Sequence, residues 1–253
     1  MLRPHRSPLL LLAALALFAS ACEPSSATSF TASNLGVGAD GWRGIPLEVD
    51  PPRTLPDVTL TGTDGRTVEL DEDLAGSPVL LFFGYTSCPD ICPIHLRTIA
   101  SAMEKIGVST DRVQVVFVSV DPERDTAERI REFTTAFDRS FVGLRGDVAV
   151  VEDALAQLDL PGPVVEGADP RGEGELIGHP AQVIGFDSDG VARRMWPFGA
   201  RRADWVEDLP RIVEEWTADG VADRADEDLP PPVDADRAGT GLTGSHGQGE
   251  ELP

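Results

Sequence analysis

Hydrophobic residues form two short runs in the first half of the chain. Residues 79–83 are apolar throughout, and residues 113–120 are apolar except at Gln114 and Ser119. Runs of this length without polar alternation are typical of strands that are covered on both faces of a sheet. The pattern therefore predicts two buried strands.

Helical patterns follow these runs. Ile130, Phe133 and Phe137 recur on one face at helical spacing, and residues 147–158 show a similar apolar face. Pro93 is placed at the first position of another helix, where its missing N–H had no partner. The predicted helices are residues 93–106, 125–137, 147–158 and 203–216.

Two predicted hairpins complete the domain. In the first, the predicted strands are residues 54–60 and 66–70, and Asp64-Gly65 lies in the turn between them. In the second, the strands are residues 182–187 and 191–196, and the turn is Ser188-Asp189-Gly190. Both turns consist of residues that favour tight turns. The order along the chain is βαβ followed by ββα. This order predicts one α/β domain of the thioredoxin-like type, with a central mixed sheet flanked by helices and with disordered ends.

The N-terminus has the pattern of an export signal. Basic residues precede the apolar stretch of residues 9–18, which is too short to span a bilayer as a helix, and Ala19-Ser20-Ala21-Cys22 follows. We therefore expect residues 1–21 to be a signal peptide. The sequence suits ordinary signal peptidase, but it also resembles a bacterial lipoprotein box, in which Cys22 is lipidated. The lipoprotein would attach to the outer face of the cytoplasmic membrane, whereas ordinary cleavage would give a free secreted or periplasmic protein.

Amino-acid composition predicts where the folded domain begins and ends. Residues 22–50 are rich in Ser, Thr, Gly and Pro and are predicted to be a flexible tether, which assigns residues 51–217 to the folded domain. Residues 218–253 have an excess of acidic residues, three consecutive prolines and several glycines, so we expect a disordered tail in which His246 is solvated.

Net charge excludes one class of partner. The chain has 43 acidic residues against 21 Lys and Arg, a formal net charge of −22. Such a charge repels phosphate backbones, so nucleic acid is not an expected partner.

The chain has three cysteines. Lipidation of Cys22 would leave Cys88 and Cys92 as a pair in an oxidising compartment, which needs a reductant or a metal to remain a dithiol.

The candidate chemistry lies in residues 84–96, GYTSCPDICPIHL, directly after the first buried run. A helix N-terminus stabilises a thiolate, which is both a nucleophile and a metal ligand. Thioredoxin-type exchange centres have two residues between their cysteines, whereas Cys88 and Cys92 have three. This longer loop can close a disulfide or hold both sulfurs toward one ion. Two soft sulfurs suit Cu(I), while structural Zn(II) usually takes four protein ligands.

Two histidines of the predicted domain are candidates for a third ligand. His179 lies in Gly178-His179-Pro180, on a loop directly before a predicted strand. His95 is three residues after Cys92, and helical spacing turns it about 300° around the axis. Asp90 and Asp121 are predicted turn residues that could also tune the site or contact a partner.

Three ordered motifs carry a resemblance to a known family. The chain resembles the Sco/SenC copper chaperones in residues 57–96, which include GYTSCPDICP, in VSVDPERDT at 118–126, and in IGHPAQVIGFDSDG at 177–190. The resemblance covers about residues 55–217. It implies a thioredoxin-like domain on the outer face of a membrane that binds copper through Cys88, Cys92 and His179. The expected ion is Cu(I), and Cu(II) also suits nitrogen and sulfur ligands.

This resemblance also implies a partner. Such proteins deliver copper to the dinuclear copper site of cytochrome c oxidase, or reduce the cysteines of that site. We therefore expect a metallochaperone rather than an enzyme, with a thiol-disulfide reductase as the alternative, which would use a Cys88–Cys92 disulfide and a thioredoxin-like reductant. A peroxiredoxin-like peroxidase is less favoured, because Tyr85 stands where a Thr-x-x-Cys arrangement would need threonine.

Overall fold

The computed structural model describes residues 36–172 and 174–217. The strands are Ile45–Pro46 (β1), Thr59–Gly62 (β2), Thr67–Glu69 (β3), Val79–Gly84 (β4), Gln114–Ser119 (β5), Val142–Arg145 (β6), Val164–Ala168 (β7), Glu175–Gly178 (β8), Val183–Phe186 (β9) and Ala192–Trp196 (β10). The helices are Leu70–Asp73 (α1), Ile91–Ile106 (α2), Ala127–Thr135 (α3), Val148–Gln157 (α4) and Arg202–Glu215 (α5). The predicted signal peptide, Cys22 and the predicted tail with His246 lie outside the described residues.

Eight strands form one mixed sheet in the order β1-β10-β9-β4-β5-β6-β2-β3. The central strands β4, β5 and β6 are parallel, and β9 pairs with β4 in the antiparallel direction. Strands β7 and β8 form a separate antiparallel hairpin. The predicted central mixed sheet is therefore confirmed, and the parallel centre places the ends of β4 and β5 at the same edge.

The two apolar runs are the centre of the core. All six residues of β4 are buried, as are five of the six in β5. Helix α2 packs beside α5, and α3 packs against β6. The predicted helices at 125–137, 147–158 and 203–216 are confirmed as α3, α4 and α5, with ends that differ by one or two residues.

Helix α2 begins at Ile91, two residues earlier than predicted. The Asp90 carboxylate accepts a hydrogen bond from the Ile91 N–H at 2.6 Å and caps the helix. Pro93 lies in the first turn, where its missing N–H is still one that the helix does not use. Cys92 is consequently a helical residue, and Cys88 lies on the loop before it.

The first predicted hairpin is shorter than expected. Strand β2 begins at Thr59, and Thr54 forms only an isolated bridge with Val191.

Strands β6 and β7 have no counterpart in the prediction. Strand β6 has only four residues, and all five residues of β7 are exposed. An exposed strand shows no alternation between apolar and polar residues, so the hydrophobic pattern gives no signal for it.

The predicted tether extends too far into the folded domain. Strand β1 pairs with β10, and Trp42 is 3% exposed, with its ring stacked on Trp216 at 5.4 Å between centroids. The guanidinium groups of Arg194 and Arg211 also lie over the Trp42 ring. One buried aromatic residue and two strand residues therefore tie this segment to the sheet, although its overall composition is that of a linker.

In residues 36–172 and 174–217, none of the helices combines the length and the apolar character that crossing a bilayer requires.

Candidate metal centre

The two cysteines lie where β4 ends and α2 begins. Residues 85–90, which we call the cysteine loop, contain Cys88, and the first turn of α2 contains Cys92. Cys88 is 7% exposed and Cys92 is fully buried. The Cys92 N–H points to the Cys88 sulfur at 3.5 Å, so the helix N-terminus stabilises negative charge on that sulfur.

Gly84 makes room for the Cys92 sulfur. A Cβ atom added at Gly84 would lie 2.6 Å from Cys92 Sγ and 2.9 Å from a ring carbon of Phe117. Any larger residue at the end of β4 would displace one of these groups. The glycine before the cysteine loop therefore sets the depth at which the helix holds its sulfur.

His179 reaches the cysteines from β8. Residues 175–181, which we call the histidine segment, contain β8 and the turn into β9. His179 Nδ1 lies 3.0 Å from the Pro180 carbonyl oxygen. Because a carbonyl can only accept, Nδ1 carries the hydrogen and donates it. The lone pair is then on Nε2, which lies 3.5 Å from Cys92 Sγ and 3.9 Å from Cys88 Sγ.

The structure brings the three predicted ligands together. Cys88 Sγ, Cys92 Sγ and one ring nitrogen of His179 all lie within 4.8 Å of one another. Nitrogen and sulfur ligands bind a first-row ion at about 2.0 to 2.3 Å, so two ligand atoms on one ion are at most about 4.6 Å apart. The distances from Nε2 to the two sulfurs, 3.5 and 3.9 Å, are already within this limit. Two sulfurs and one imidazole are also the donor types that copper prefers.

The two thiols differ in their protonation. A hydrogen bond from the Cys92 thiol is the main cause that lowers the pKa of Cys88 to about 4. Burial raises the pKa of Cys92 well above its ordinary value. At neutral pH, Cys88 is therefore a thiolate, and Cys92 keeps the proton that the pair shares. The two cysteines are not joined to each other in the structure, so the Cys88–Cys92 disulfide stays a prediction.

Comparison with known proteins assigns the family. A family model described as SCO1/SenC matches residues 48–214, more than half of the chain. The chain belongs to the SCO1/SenC family. This assignment confirms the resemblance that the three sequence motifs indicate.

Individual relatives resemble parts of the chain. Protein SenC of Rhodobacter capsulatus is 37% identical over 129 residues, which are 51% of this chain and 57% of that protein. The chain spans 26% of the length of Protein SCO1 homolog 1 of Arabidopsis thaliana and 58% of that of the SCO2 homolog of Bos taurus.

Solved structures extend the comparison to the fold. The structure of Bradyrhizobium japonicum ScoI with copper bound is 30% identical, covers 67% of this chain and 98% of that chain, and has a TM-score of 0.53. The structure of BsSco, described as a member of the Sco family of cytochrome c oxidase assembly proteins with a disulfide switch, is 21% identical. It covers 68% of this chain and 97% of that chain, with a TM-score of 0.51, and bears on the fold alone. The thioredoxin-like fold is confirmed.

Side chains outside the ligand set hold the histidine segment of this SCO1/SenC domain. The Ile177 N–H donates to the Tyr85 hydroxyl at 3.3 Å, and Arg124 donates to the Glu175 carbonyl at 2.8 Å. The edge of the His179 ring also packs on Tyr85, with 5.6 Å between centroids. Tyr85 therefore contacts the histidine segment through both its ring and its hydroxyl.

The hairpin that leads to His179 has a further contact with the cysteine loop. Arg171 lies in the turn between β7 and β8, and donates to the Ser87 carbonyl at 2.7 Å. Asp169, which is buried, pairs with the same guanidinium. The turn of the hairpin is thus bonded to the residue that directly precedes Cys88.

His95, the other candidate ligand, lies outside the three-residue cluster. The ring is 1% exposed, packs against Phe82 and Phe198, and has Nε2 2.8 Å from the Ala181 carbonyl oxygen. Burial lowers the pKa of His95 to about 4, so the ring is neutral at physiological pH. The hydrogen bond commits Nε2 to the Ala181 carbonyl, and the ring is not part of the cluster that Cys88, Cys92 and His179 form.

The two candidate tuning carboxylates have local structural partners. Asp90 caps α2, and Asp121 pairs with Arg124. A third carboxylate, Asp125, is fully buried and accepts hydrogen bonds from the Thr86 N–H at 3.0 Å and the Ser119 hydroxyl at 2.7 Å. It fixes the cysteine loop to β5 and was not singled out from the sequence.

Only one of these supporting residues had a sequence signal. A glycine at the end of a buried strand indicates close approach of another group, which applies to Gly84. Tyr85, Arg171 and Asp125 make contacts with residues far away in the chain, and one sequence has no pattern that would reveal them.

Proposed function

We propose that this protein is an exported copper-binding metallochaperone that delivers copper to the dinuclear copper site of cytochrome c oxidase. The observation that carries this proposal is the convergence of the Cys88 and Cys92 sulfurs with a ring nitrogen of His179 within 4.8 Å. The copper-bound structure of a relative that is 30% identical supports the choice of metal.

The protonation of the site suits the uptake of Cu(I). Cys88 is available as a thiolate, because its pKa is lowered to about 4. Cys92 releases its proton when its sulfur binds the ion, since only the thiolate is a good ligand. His179 offers Nε2 while its Nδ1–H remains bonded to the Pro180 carbonyl. Cu(II) also suits this nitrogen and sulfur donor set.

Three ligands leave the ion open to an incoming group. His179 is only partly buried, and Pro89, between the cysteines, is exposed. A thiolate of the recipient can therefore approach and replace the ligands one at a time. Copper would move from sulfur to sulfur without entering solution as a free ion.

The proposal includes where the protein works. The predicted signal and Cys22 would place it on the outer face of the cytoplasmic membrane, attached through a lipid. The proposed recipient is the oxidase subunit with the dinuclear copper site. A mature N-terminal peptide whose mass lacks the lipid would refute the attachment while leaving the copper site unaffected.

The deciding experiment removes the third ligand. We expect His179→Ala to weaken copper binding by more than about 100-fold, because even partners of metal ligands contribute about 10- to 100-fold. The reduced protein would be titrated with Cu(I) against a competing chelator, and X-ray absorption would report the ratio of sulfur to nitrogen ligands. His246→Ala is the matched control, since it removes a histidine of the predicted tail.

Two results would overturn the proposal. A wild-type protein that binds no copper would remove the metallochaperone function. Undiminished copper affinity in His179→Ala would show that the third ligand lies elsewhere.

A thiol-disulfide reductase is the second candidate function, and the unequal protonation of the cysteines favours it. The Cys88 thiolate would attack a sulfur of the recipient disulfide, forming a mixed disulfide and expelling a recipient thiolate. Cys92 would then lose its proton and attack Cys88 Sγ, which releases the reduced recipient and leaves a Cys88–Cys92 disulfide. A thioredoxin-like dithiol would restore the pair. His179→Ala should leave this exchange largely intact, so the same variant separates the two functions.

A further inference from the structure

His95 connects the two parts of the site. It lies one turn after Cys92 on α2, and its Nε2 lies 2.8 Å from the carbonyl oxygen of Ala181, two residues after His179. Because a carbonyl only accepts, Nε2 carries the hydrogen. The helix that holds one sulfur is thus directly bonded to the segment that holds the imidazole.

The position of this bond is enclosed and well defined. The His95 ring is 1% exposed and lies 5.1 Å from the Phe82 ring and 5.7 Å from the Phe198 ring, between centroids. Phe82 also contacts the His179 ring at 5.9 Å. One phenylalanine therefore packs against both histidines, and the bonded His95 has little space to change its orientation.

The histidine segment has few other contacts that hold its C-terminal end in place. Strand β8 has no fully buried residue, and its partner β7 is exposed along its length. The Glu175 carbonyl accepts a hydrogen bond from Arg124, and the Ile177 N–H donates one to Tyr85, both before the histidine. The bond from His95 acts after it, at the turn into the buried strand β9.

We propose that His95 is a positioning residue, whose hydrogen bond to the Ala181 carbonyl holds His179 over the cysteine pair. It takes no part in coordination. This inference rests on the proposed copper-binding function. The role requires a donor at the His95 position, and the aromatic contacts alone do not fulfil it.

Two substitutions separate the donor from the ring. His95→Phe keeps an aromatic ring between Phe82 and Phe198 but has no hydrogen to donate. His95→Gln loses the ring and keeps an N–H donor of similar reach. The full-length reduced protein of each variant would be titrated with Cu(I), and X-ray absorption would count nitrogen ligands at saturation. Circular dichroism and thermal unfolding would report the fold.

We expect His95→Phe to bind Cu(I) about 10- to 100-fold more weakly, the range for partners of metal ligands, with a reduced nitrogen signal. His95→Gln should lose less than about tenfold and keep the nitrogen signal. The rate of alkylation of Cys88 in the metal-free protein should be the same in both variants, because the cysteine loop is held by other residues.

Each outcome decides the inference. Wild-type affinity and nitrogen signal in a folded His95→Phe would overturn it, and so would a folded His95→Gln that loses the nitrogen ligand. If His95→Phe does not fold, the result for His95→Gln decides alone. Failure of the wild-type protein to bind copper would refute the proposed function instead, so the two failures are distinguishable.

Discussion

Cys88 and Cys92 follow β4, in which all six residues are buried, whereas His179 follows β8, in which none is fully buried. The sulfurs are therefore positioned by the core of the domain and by a capped helix. The imidazole is positioned by individual hydrogen bonds that its segment makes with Arg124, Tyr85 and His95. One metal centre thus combines a part set by packing with a part set by polar contacts, and the two parts should respond differently to mutation.

Overpacking the cysteine side should have the largest effect. We expect Gly84→Ala to destabilise the protein by about 1 to 3 kcal/mol, the range for extra methylenes in a filled core, because its Cβ would meet the Cys92 sulfur. Urea unfolding of the metal-free protein would measure the change.

Gly162→Ala is the matched control for that substitution. A Cβ atom added at Gly162 would have only Glu152 Cγ nearby, at 4.0 Å, which is an ordinary van der Waals contact. Equal stability losses in the two alanine variants would show that the sulfur of Cys92 is not held by close packing.

The second prediction concerns the charge on the cysteine side. The pKa of Cys88 is lowered to about 4, so the thiolate forms as pH rises through this value and is complete at neutral pH. An ordinary thiol of pKa about 8.5 is roughly 3% ionised at pH 7, which makes Cys88 about 30-fold richer in thiolate. The alkylation rate of Cys88, followed by mass spectrometry, should be nearly independent of pH between about 6 and 8.

Cys92→Ala provides the comparison for this profile. It removes the thiol whose hydrogen bond is the largest cause of the lowered pKa of Cys88. The inflection should move to higher pH. A wild-type rate that rises tenfold per pH unit across the neutral range would contradict the assignment of the thiolate.

The smallest effect should come from the histidine side. Arg171 is 41% exposed, so solvent reduces the value of its contacts with Asp169 and Ser87. We expect Arg171→Ala to weaken Cu(I) binding by less than about tenfold, since exposed pairs contribute about 1 kcal/mol or less. The alkylation profile of Cys88 should not change.

Arg66→Ala, which breaks an ion pair with Asp64 on a distant hairpin, is the control for Arg171→Ala. A loss of stability without a loss of copper affinity in Arg171→Ala would show that the turn between β7 and β8 does not position the ligand.

The sequence predicted the cysteine side because its determinants are local. An apolar run and two cysteines lie within one short stretch of the chain, so hydrophobic periodicity and helix rules were enough to place them. Only the start of α2 was wrong, because Asp90 caps the helix two residues before the proline.

On the histidine side, the sequence offered His179 and His95 as candidate ligands, and the family motif decided between them. Val164 and Val165 are 63% and 57% exposed, so the hairpin that carries the ligand shows no buried face in its sequence. The role of Trp42 was missed for a related reason, because composition averages over a segment and one buried ring changes it little. Both features depend on contacts with distant parts of the chain.

The hydrogen bond between His179 Nδ1 and the Pro180 carbonyl has a kinetic consequence. A histidine in water is divided between two tautomers, and only one of them would present an unprotonated Nε2 to the sulfurs. In this protein the Pro180 carbonyl fixes the tautomer that has its hydrogen on Nδ1. An ion can therefore bind to this nitrogen, or leave it, without any hydrogen moving from one ring nitrogen to the other. The rates of binding and release then depend on the metal–nitrogen bond alone.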